Sequence, residues 1–391
     1  MGGVTLRLGT RTVIAAVAAA LTVGLVSAPS SAGSPPGARI RPADLPMGAA
    51  PRSAWYVGQD KLIHLPGGDT VALPDKVGDA TTLDDVWRVH EGWLAAYSED
   101  VSGDESQPPD TIAIVGDDGR VQDLGTGIGY PAMVAEGGRW FVTSGTRYDQ
   151  GRKALSTDLK QVRVTDGRML AKRTFVDAYS GAFYDYSVLQ AAGGRVLLEK
   201  VVYPTGGKAP QYRTMWWTPS ANKVSVLWSR AQQHRDQSTA YYATAADVGS
   251  TAGGWATVRE GRARQAVRDL RTHRLRWTLP KGDYALAASP NGAVLLTTDT
   301  ARPGGNGIQT LRARDARTGR LLSSYRVTIG WMHIYAWESP RVFLFAPGNR
   351  IDDQEVVHGT ALVRCTLGTV RCQRVTAAPA VRFPARQNQP F

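Results

Sequence analysis

The sequence predicts an all-β fold, and three observations predict it. Turn pairs flanked by extended runs recur along the chain. A second kind of turn precedes most of them. Glycine is abundant at 42 residues, with 11 tryptophans scattered among the runs, a composition that suits many tight turns and dispersed aromatics. The unit is plainest in LRARDARTGRLLSSYRV, residues 311–327. One run enters Thr318-Gly319 and a second leaves it. After the turn Leu321, Ser323, Tyr325 and Val327 share a face, the period-2 pattern of a half-buried strand.

The same hairpin is predicted at Gly67-Gly68, Asp118-Gly119, Asp166-Gly167, Ala221-Asn222, Thr272-His273, Thr318-Gly319 and Gly368-Thr369. Counting from the second residue of each pair, the gaps are 51, 48, 55, 51, 46 and 50 residues. Asp-Gly and Gly-Gly carry the strongest signal, since a two-residue turn demands positive φ; Ala-Asn and Thr-His are placed by spacing. The second landmark is a turn that opens an apolar strand. It stands at Gly92-Trp93, Arg139-Trp140, Arg195-Val196, Gly254-Trp255, Gly292-Ala293 and Arg341-Val342. Two hairpins per repeat make four strands, and four strands per 50 or so residues spell the blades of a β-propeller.

Seven such blades fit residues 51–391. The first is short. It has room for AWYV, KLIHL and TVALP but no innermost strand. The tail AVRF, residues 380–383, is expected to supply that strand and close the ring. Closure has a physical motive, because an open ring exposes an unpaired strand edge.

The hairpins RARDARTGRLLSSY and VRDLRTHRLRWTL resemble the D-x-x-T-G-x-x-L-W hairpin of quinoprotein-like propellers. LAASPNGAVLLTTD, residues 286–299, resembles the S-P-D-G turn of WD-repeat and TolB-like propellers. The resemblance implies the fold. It implies no activity, since a quinoprotein dehydrogenase would carry a vicinal cysteine pair and a cofactor cage. Here Cys365 and Cys372 lie apart, on the two arms of one hairpin. With Gly368-Thr369 at the turn, they stand opposite one another, within bridging range for an antiparallel pair. A disulfide is expected there.

Residues 1–32 read as a cleaved signal peptide. Arg7 and Arg11 precede an apolar run over 13–26 that is too short to span a bilayer, and small-residue cleavage patterns end at Ala28 and Ala32. Residues 33–50, rich in Pro, Gly and Ala, read as a flexible lead-in, and 51–391 as the propeller domain. A chain 42% hydrophobic and 20% charged has enough apolar matter for a packed core. The mature protein is expected to be secreted, without a transmembrane span, and monomeric.

No nucleophile elbow, H-E-x-x-H, phosphate-binding glycine loop or calcium loop is present, so no catalytic residue, metal or cofactor is assigned. The six histidines, at 64, 90, 234, 273, 333 and 358, never pair at metal-ligand spacing within a repeat and read as surface or packing residues. The acidic stretch 99–110, and Asp352, Asp353 and Glu355, read as solvated loops. The tryptophans read as packing between blades.

One aromatic set points to binding. Tyr130, Tyr184, Tyr241 with Tyr242, Tyr284, and Trp331 open the first strands of their blades. First strands line a propeller's channel, so these residues are expected to ring one mouth, a surface suited to sugar or peptide. The competing reading is that they anchor each strand to its neighbour.

The whole chain carries a net +12. Residues 259–391 alone hold 20 Arg and one Lys against nine acids, also +12. A positive field on the last blades suits an anionic partner such as a cell-envelope polymer, and export argues against nucleic acid. The function expected is a non-catalytic binding scaffold for a protein or an anionic cell-envelope glycan. The alternative is a polysaccharide-acting enzyme, lyase or hydrolase, with its site in the funnel.

Overall fold

The structure is a computed structural model. Residues 1–36 form a unit apart from 37–391, and none of them is described. The structure describes residues 38–384 apart from 42–43, 58–59, 100–110, 126, 136, 150–153, 179–181, 207, 209, 229–236, 244–253, 261–263, 290, 300–307, 329–330, 349, 352–356, 359–361, 370 and 376–382. The signal peptide and the acidic stretches therefore lie outside the described residues.

The second unit is a seven-bladed β-propeller. Blade 1 comprises Trp55–Val57, Leu62–His64 and Thr70–Ala72. Blade 2 comprises Thr82–Val89, Gly92–Ser98, Thr111–Val115 and Val121–Gly125. Blade 3 comprises Pro131–Val134, Trp140–Asp149, Ala154–Arg163 and Met169–Ala178. Blade 4 comprises Phe183–Ala192, Arg195–Tyr203, Gln211–Thr218 and Lys223–Val226. Blade 5 comprises Gln237–Ala243, Trp255–Glu260, Arg264–Asp269 and Leu275–Thr278. Blade 6 comprises Asp283–Ala288, Val294–Asp299, Ile308–Asp315 and Leu321–Thr328. Blade 7 comprises Trp331–Ser339, Val342–Gly348, Val363–Thr366 and Arg371–Val375. Within each blade consecutive strands pair antiparallel.

All seven hairpin turns fall where the sequence places them, because each contains a residue that takes positive φ. Gly68, Gly119, Gly167, Gly319 and Gly368 do so, and so do Asn222 and His273, which have side chains. The acid at the head of the hairpin fixes the turn. Asp315 Oδ1 accepts from the amides of Arg317 (3.0 Å) and Thr318 (2.8 Å) and from the Thr318 hydroxyl (2.8 Å). Asp269 repeats the set with Arg271 and Thr272 at 3.1, 2.8 and 2.9 Å. The side chain thus mimics a backbone turn.

The core is divided into slabs, one at each blade junction. Blades 3 and 4, for example, bury Met133, Val142 and Leu159 against Val196, Leu198 and Trp217. Second strands are covered on both faces, so Trp93 to Tyr97 are all buried in unbroken succession. Alternation survives where one face is open, as in the outermost strand Met169–Ala178.

One feature differs from the sequence expectation. Residues 33–50 are not wholly a flexible lead-in: Ala38–Ile40 and Met47–Gly48 are strands. Ala38–Ile40 pairs in parallel with the fourth strand of blade 6, and Met47–Gly48 with that of blade 7. Ile40 is buried between those two blades. A segment rich in Pro and Gly can still cover a sheet edge when its few apolar residues meet a ready slab. The innermost strand expected of blade 1 at 380–383 falls mostly outside the described residues. Phe383 packs against Ala336, Leu344, Leu362 and Val375 of blade 7.

The strap over blades 6 and 7 is clamped by a buried ion pair. Glu338, on the first strand of blade 7, receives Arg364 Nε at 2.6 Å and Nη2 at 2.8 Å. Arg364 also donates to the carbonyls of Ala49 (3.1 Å) and Ala50 (2.8 Å), and the Arg52 amide donates to Glu338 at 2.6 Å. One guanidinium thus ties blade 7 to the chain entering blade 1. Cys365 and Cys372 pair directly, with Cα atoms 4.3 Å apart, and form the expected disulfide.

Candidate functional site: the mouth and the turn face

The ring has two unlike ends. At one end, the mouth, first strands begin and the longer connections cross. At the other, the turn face, lie the tight turns joining first to second and third to fourth strands. Every first strand of blades 2–7 carries a bulge, near the strand start in blades 2 and 3 and farther along it in blades 4 to 7. The register slips at Leu83/Asp85, Pro131/Met133, Val188/Gln190, Thr239/Tyr241, Ala285/Ala287 and Ile334/Ala336. A bulge sharpens local twist and re-aims the side chains beside it.

Of the sequence-predicted aromatics, Tyr130, Tyr184, Tyr284 and Trp331 stand at or beside the starts of their first strands, at the mouth, whereas Tyr241 and Tyr242 fall near the end of theirs, toward the turn face. Tyr130 is half-buried; its hydroxyl donates to Asp85 at 3.0 Å and its ring meets Trp87 edge-on at 5.4 Å. Asp85 also receives the Tyr56 hydroxyl at 3.2 Å, so one carboxylate joins blades 1, 2 and 3. Tyr130 therefore acts as an anchor. Tyr184 is half-buried on the first strand of blade 4, with the Lys200 ammonium 4.9 Å from its ring centre. Tyr284 is half-buried on the first strand of blade 6. Tyr241, Tyr242 and Trp331 lie in the first strands of blades 5 and 7, and their side chains fall outside the description.

Sequence reasoning missed the charged partners here. Asp177 accepts from the Tyr186 hydroxyl at 2.8 Å and from the Lys200 ammonium, joining blade 3 to blade 4. Tyr186 stacks on Phe175 at 4.4 Å. In blade 6, Arg312 bridges Asp283 (2.8 Å) and Asp299 (2.9 Å). Burial, followed by the adjoining Asp85 charge, holds the Tyr130 phenol protonated far above its ordinary range. Burial and the hydrogen bond to Asp177 do the same to Tyr186. These phenols are donors locked onto carboxylates, which makes them ties between blades.

The turn face is differently built. In blades 2 and 3 its carboxylates hold arginines: Arg88 with Asp117, Arg120 with Asp118 (3.2 Å), and Arg163 with Asp166 (2.8 Å through Nε). In blades 5 and 6 Asp269 and Asp315 fold back on their own turns. Arg271, Arg274, Arg317, Arg320, Arg341 and Arg371 are all exposed there. None of the six forms an ion pair with a carboxylate of the described residues.

Neighbouring blades are latched by a recurring bond from a fourth-strand side chain to a carbonyl in the next outer turn. The donors are Gln122 to Thr165 O (2.9 Å), Arg173 to Asn222 O (3.1 Å), Trp228 to Leu270 O (2.8 Å), Trp277 to Ala316 O (2.9 Å) and Tyr325 to Thr366 O (3.0 Å). His273 is buried against Trp228, with ring centres 4.2 Å apart, and His64 stacks on Trp55 at 3.8 Å. Both are packing residues. Among the described residues no group of three His, Cys, Asp or Glu gathers to hold a metal, and no helix is long and apolar enough to cross a membrane.

No family model matches the chain, and no curated protein does. Solved structures of similar shape include the uncharacterized protein lmo1340 from Listeria monocytogenes EGD-e. That match has 9% identity and TM-score 0.47 and covers 79% of this chain and 86% of that one. The Dos1 propeller matches at 11% identity and TM-score 0.41, over 84% of this chain and 80% of that one. TolB from Acinetobacter baumannii matches at 12% identity and TM-score 0.36, over 70% of this chain and 65% of that one.

Proposed function

We propose that the protein is an exported, non-catalytic propeller that holds a protein or an anionic cell-envelope glycan. The observation that carries this reading is the unequal use of charge. At the mouth Tyr130, Tyr186 and Lys200 are bound to carboxylates, whereas six turn arginines on blades 5–7 face solvent without an ion pair to any carboxylate of the described residues. Exposed guanidinium groups are suited to forked recognition of carboxylate or phosphate. The mouth aromatics Tyr184, Tyr284 and Trp331 offer a rival surface, suited to a neutral sugar or peptide. A glycan array and a pull-down with the mature chain test the reading. Retention of one ligand class is expected, and detected turnover with no binder at all overturns it.

A polysaccharide-acting enzyme is the second reading, favoured by the carboxylate–tyrosine pairs Asp85 with Tyr130 and Asp177 with Tyr186 at the mouth. It predicts release of new sugar ends from an acidic polymer, lost in an Asp85→Asn variant that still folds.

A further inference from the structure

We infer that the turn face of blades 5–7 is the docking surface for a linear polyanion, read by an arc of paired arginines that the turns themselves keep free. This rests on the scaffold reading above and names the face and the ligand chemistry.

The argument begins with one hairpin. In a turn of the form Asp-x-Arg-Thr-x-Arg, the single acid sits beside two bases. Left to itself it would neutralise one of them. In blades 5 and 6 it does not, because Oδ1 of Asp269 and of Asp315 is bound by two amides and a threonine hydroxyl of its own turn. The remaining oxygen of Asp269 takes Arg276, which is half-buried, at 3.1 Å. Arg271 and Arg274, and Arg317 and Arg320, are thereby left facing outward in the same arrangement on consecutive blades. Blade 7 has no acid in its outer turn; Arg341 and Arg371 extend the series at the same end of the ring. Antiparallel four-stranded blades put both kinds of tight turn at one end, so all six side chains share a face.

Repetition is what selects a polymer. A blade sets the spacing between arginine pairs, and a chain of regularly spaced anions can engage several pairs at once, releasing counterions as it does so. A bilayer surface would be better served by apolar side chains that insert beside the charges. The large exposed apolar residues of the described structure include Met47, Val121, Met169, Val176, Phe183 and Tyr203, none of them on the turns of blades 5–7. Leu275, beside Arg274, is the exception.

The test uses the mature full chain with three probes: poly(glycerol phosphate), heparin and phosphatidylglycerol vesicles, with neutral dextran as control. Binding is measured across a salt series for wild type, for Arg271→Glu/Arg317→Glu/Arg341→Glu, and for Tyr184→Ala/Tyr284→Ala. The glutamate triple is expected to weaken polymer binding about ten-fold or more and to flatten its salt dependence, while the mouth pair binds as wild type. Thermal melts check folding, and a glutamine triple, with the same loss in smaller degree, keeps the test open should the glutamates unfold the chain. Equal polymer binding by wild type and the arginine triples overturns the inference, as does loss confined to the mouth pair. A stronger arginine-dependent attachment to vesicles than to polymer overturns it in favour of a lipid surface. A wild type that binds a protein or neutral glycan but no polyanion overturns the inference and leaves the scaffold reading standing. A chain that binds nothing overturns both.

Discussion

Blades 2 and 3 and blades 5 to 7 solve the same hairpin in two ways. In the early pair, Asp118 and Asp166 accept one amide each of their own turns but also pair with arginines, and the latches to the next blade are the polar side chains of Gln122 and Arg173. In the late group, the turn carboxylates of blades 5 and 6 cap their own backbone, and the latches leading into blades 5, 6 and 7 are Trp228, Trp277 and Tyr325. An aromatic latch brings its own buried area along with its hydrogen bond, whereas a polar latch brings little beyond the bond. Where rings hold the junctions, the exposed turn arginines Arg271, Arg274, Arg317 and Arg320 make no ion pair among the described residues and are left for contact with something else.

The sharpest break in that comparison is at blade 7, where the strap is clamped. Glu338→Ala strands the Arg364 guanidinium, whose side chain is 6% exposed against 1% for its partner. A buried charge left without its counter-ion costs about 3–5 kcal/mol, read as a lowered urea midpoint. Replacing both residues with apolar ones of similar volume is expected to recover most of it.

The latches come next. Trp228→Ala is expected to cost about 3–5 kcal/mol, because the ring is 1% exposed and fills the junction of blades 4 and 5. Gln122→Ala should cost about 1 kcal/mol. Comparable losses at the two sites in denaturant titrations would dissolve the distinction between aromatic and polar junctions.

Glycines at equivalent turns sharpen it further. Gly319 (φ 74°) lies under Trp277, and a Cβ there would fall 2.7 Å from the indole. Gly119 (φ 79°) has nothing within 4 Å of that position. Gly119→Ala meets only the left-handed penalty, about 1 kcal/mol, while Gly319→Ala adds about 1–3 kcal/mol of overpacking. Paired thermal melts measure the gap. Removing the disulfide by changing both Cys365 and Cys372 to serine is expected to cost about 2 kcal/mol, since the loop it closes is short.

The smallest effect is the pH response of the early turn face. The Arg163 guanidinium holds Asp166 at about 2, below its ordinary 3.8. The folded value lies below the unfolded one, so the pair contributes stability above about pH 3.8 and loses it as pH falls toward 2. Asp166→Asn should flatten the acid limb of the stability curve in that window. In the late turns burial pushes the Asp315 carboxyl up, but the Thr318 hydroxyl and amide outweigh it and pull the value down. Thr318→Val should weaken that pull, seen by carboxyl titration in NMR.

Legibility in the sequence followed locality. Gly319 marks its turn because a positive φ is a demand on one residue, whereas the turns at Asn222 and His273 were legible only through the spacing of the repeat. The pairing of Cys365 with Cys372 follows from the turn between them. The mouth was legible only in part: Tyr130, Tyr184 and Tyr284 do open first strands, but nothing beside Tyr130 in the sequence points to Asp85. Nor does any run of residues betray the repeated bulge, which arises when two strands with different curvature must stay paired.

The amino-acid order by itself determined where strands stop, which hairpins form and how many blades there are, because turn chemistry and side-chain alternation act over a few neighbouring residues. The tertiary structure alone decided that 38–40 and 47–48 cover the edges of blades 6 and 7, that Arg364 clamps them through Glu338, and which arginines pair with no carboxylate of the described residues. Those outcomes depend on groups far apart in the chain competing for the same partners, and that competition has a result only once the ring has brought them together.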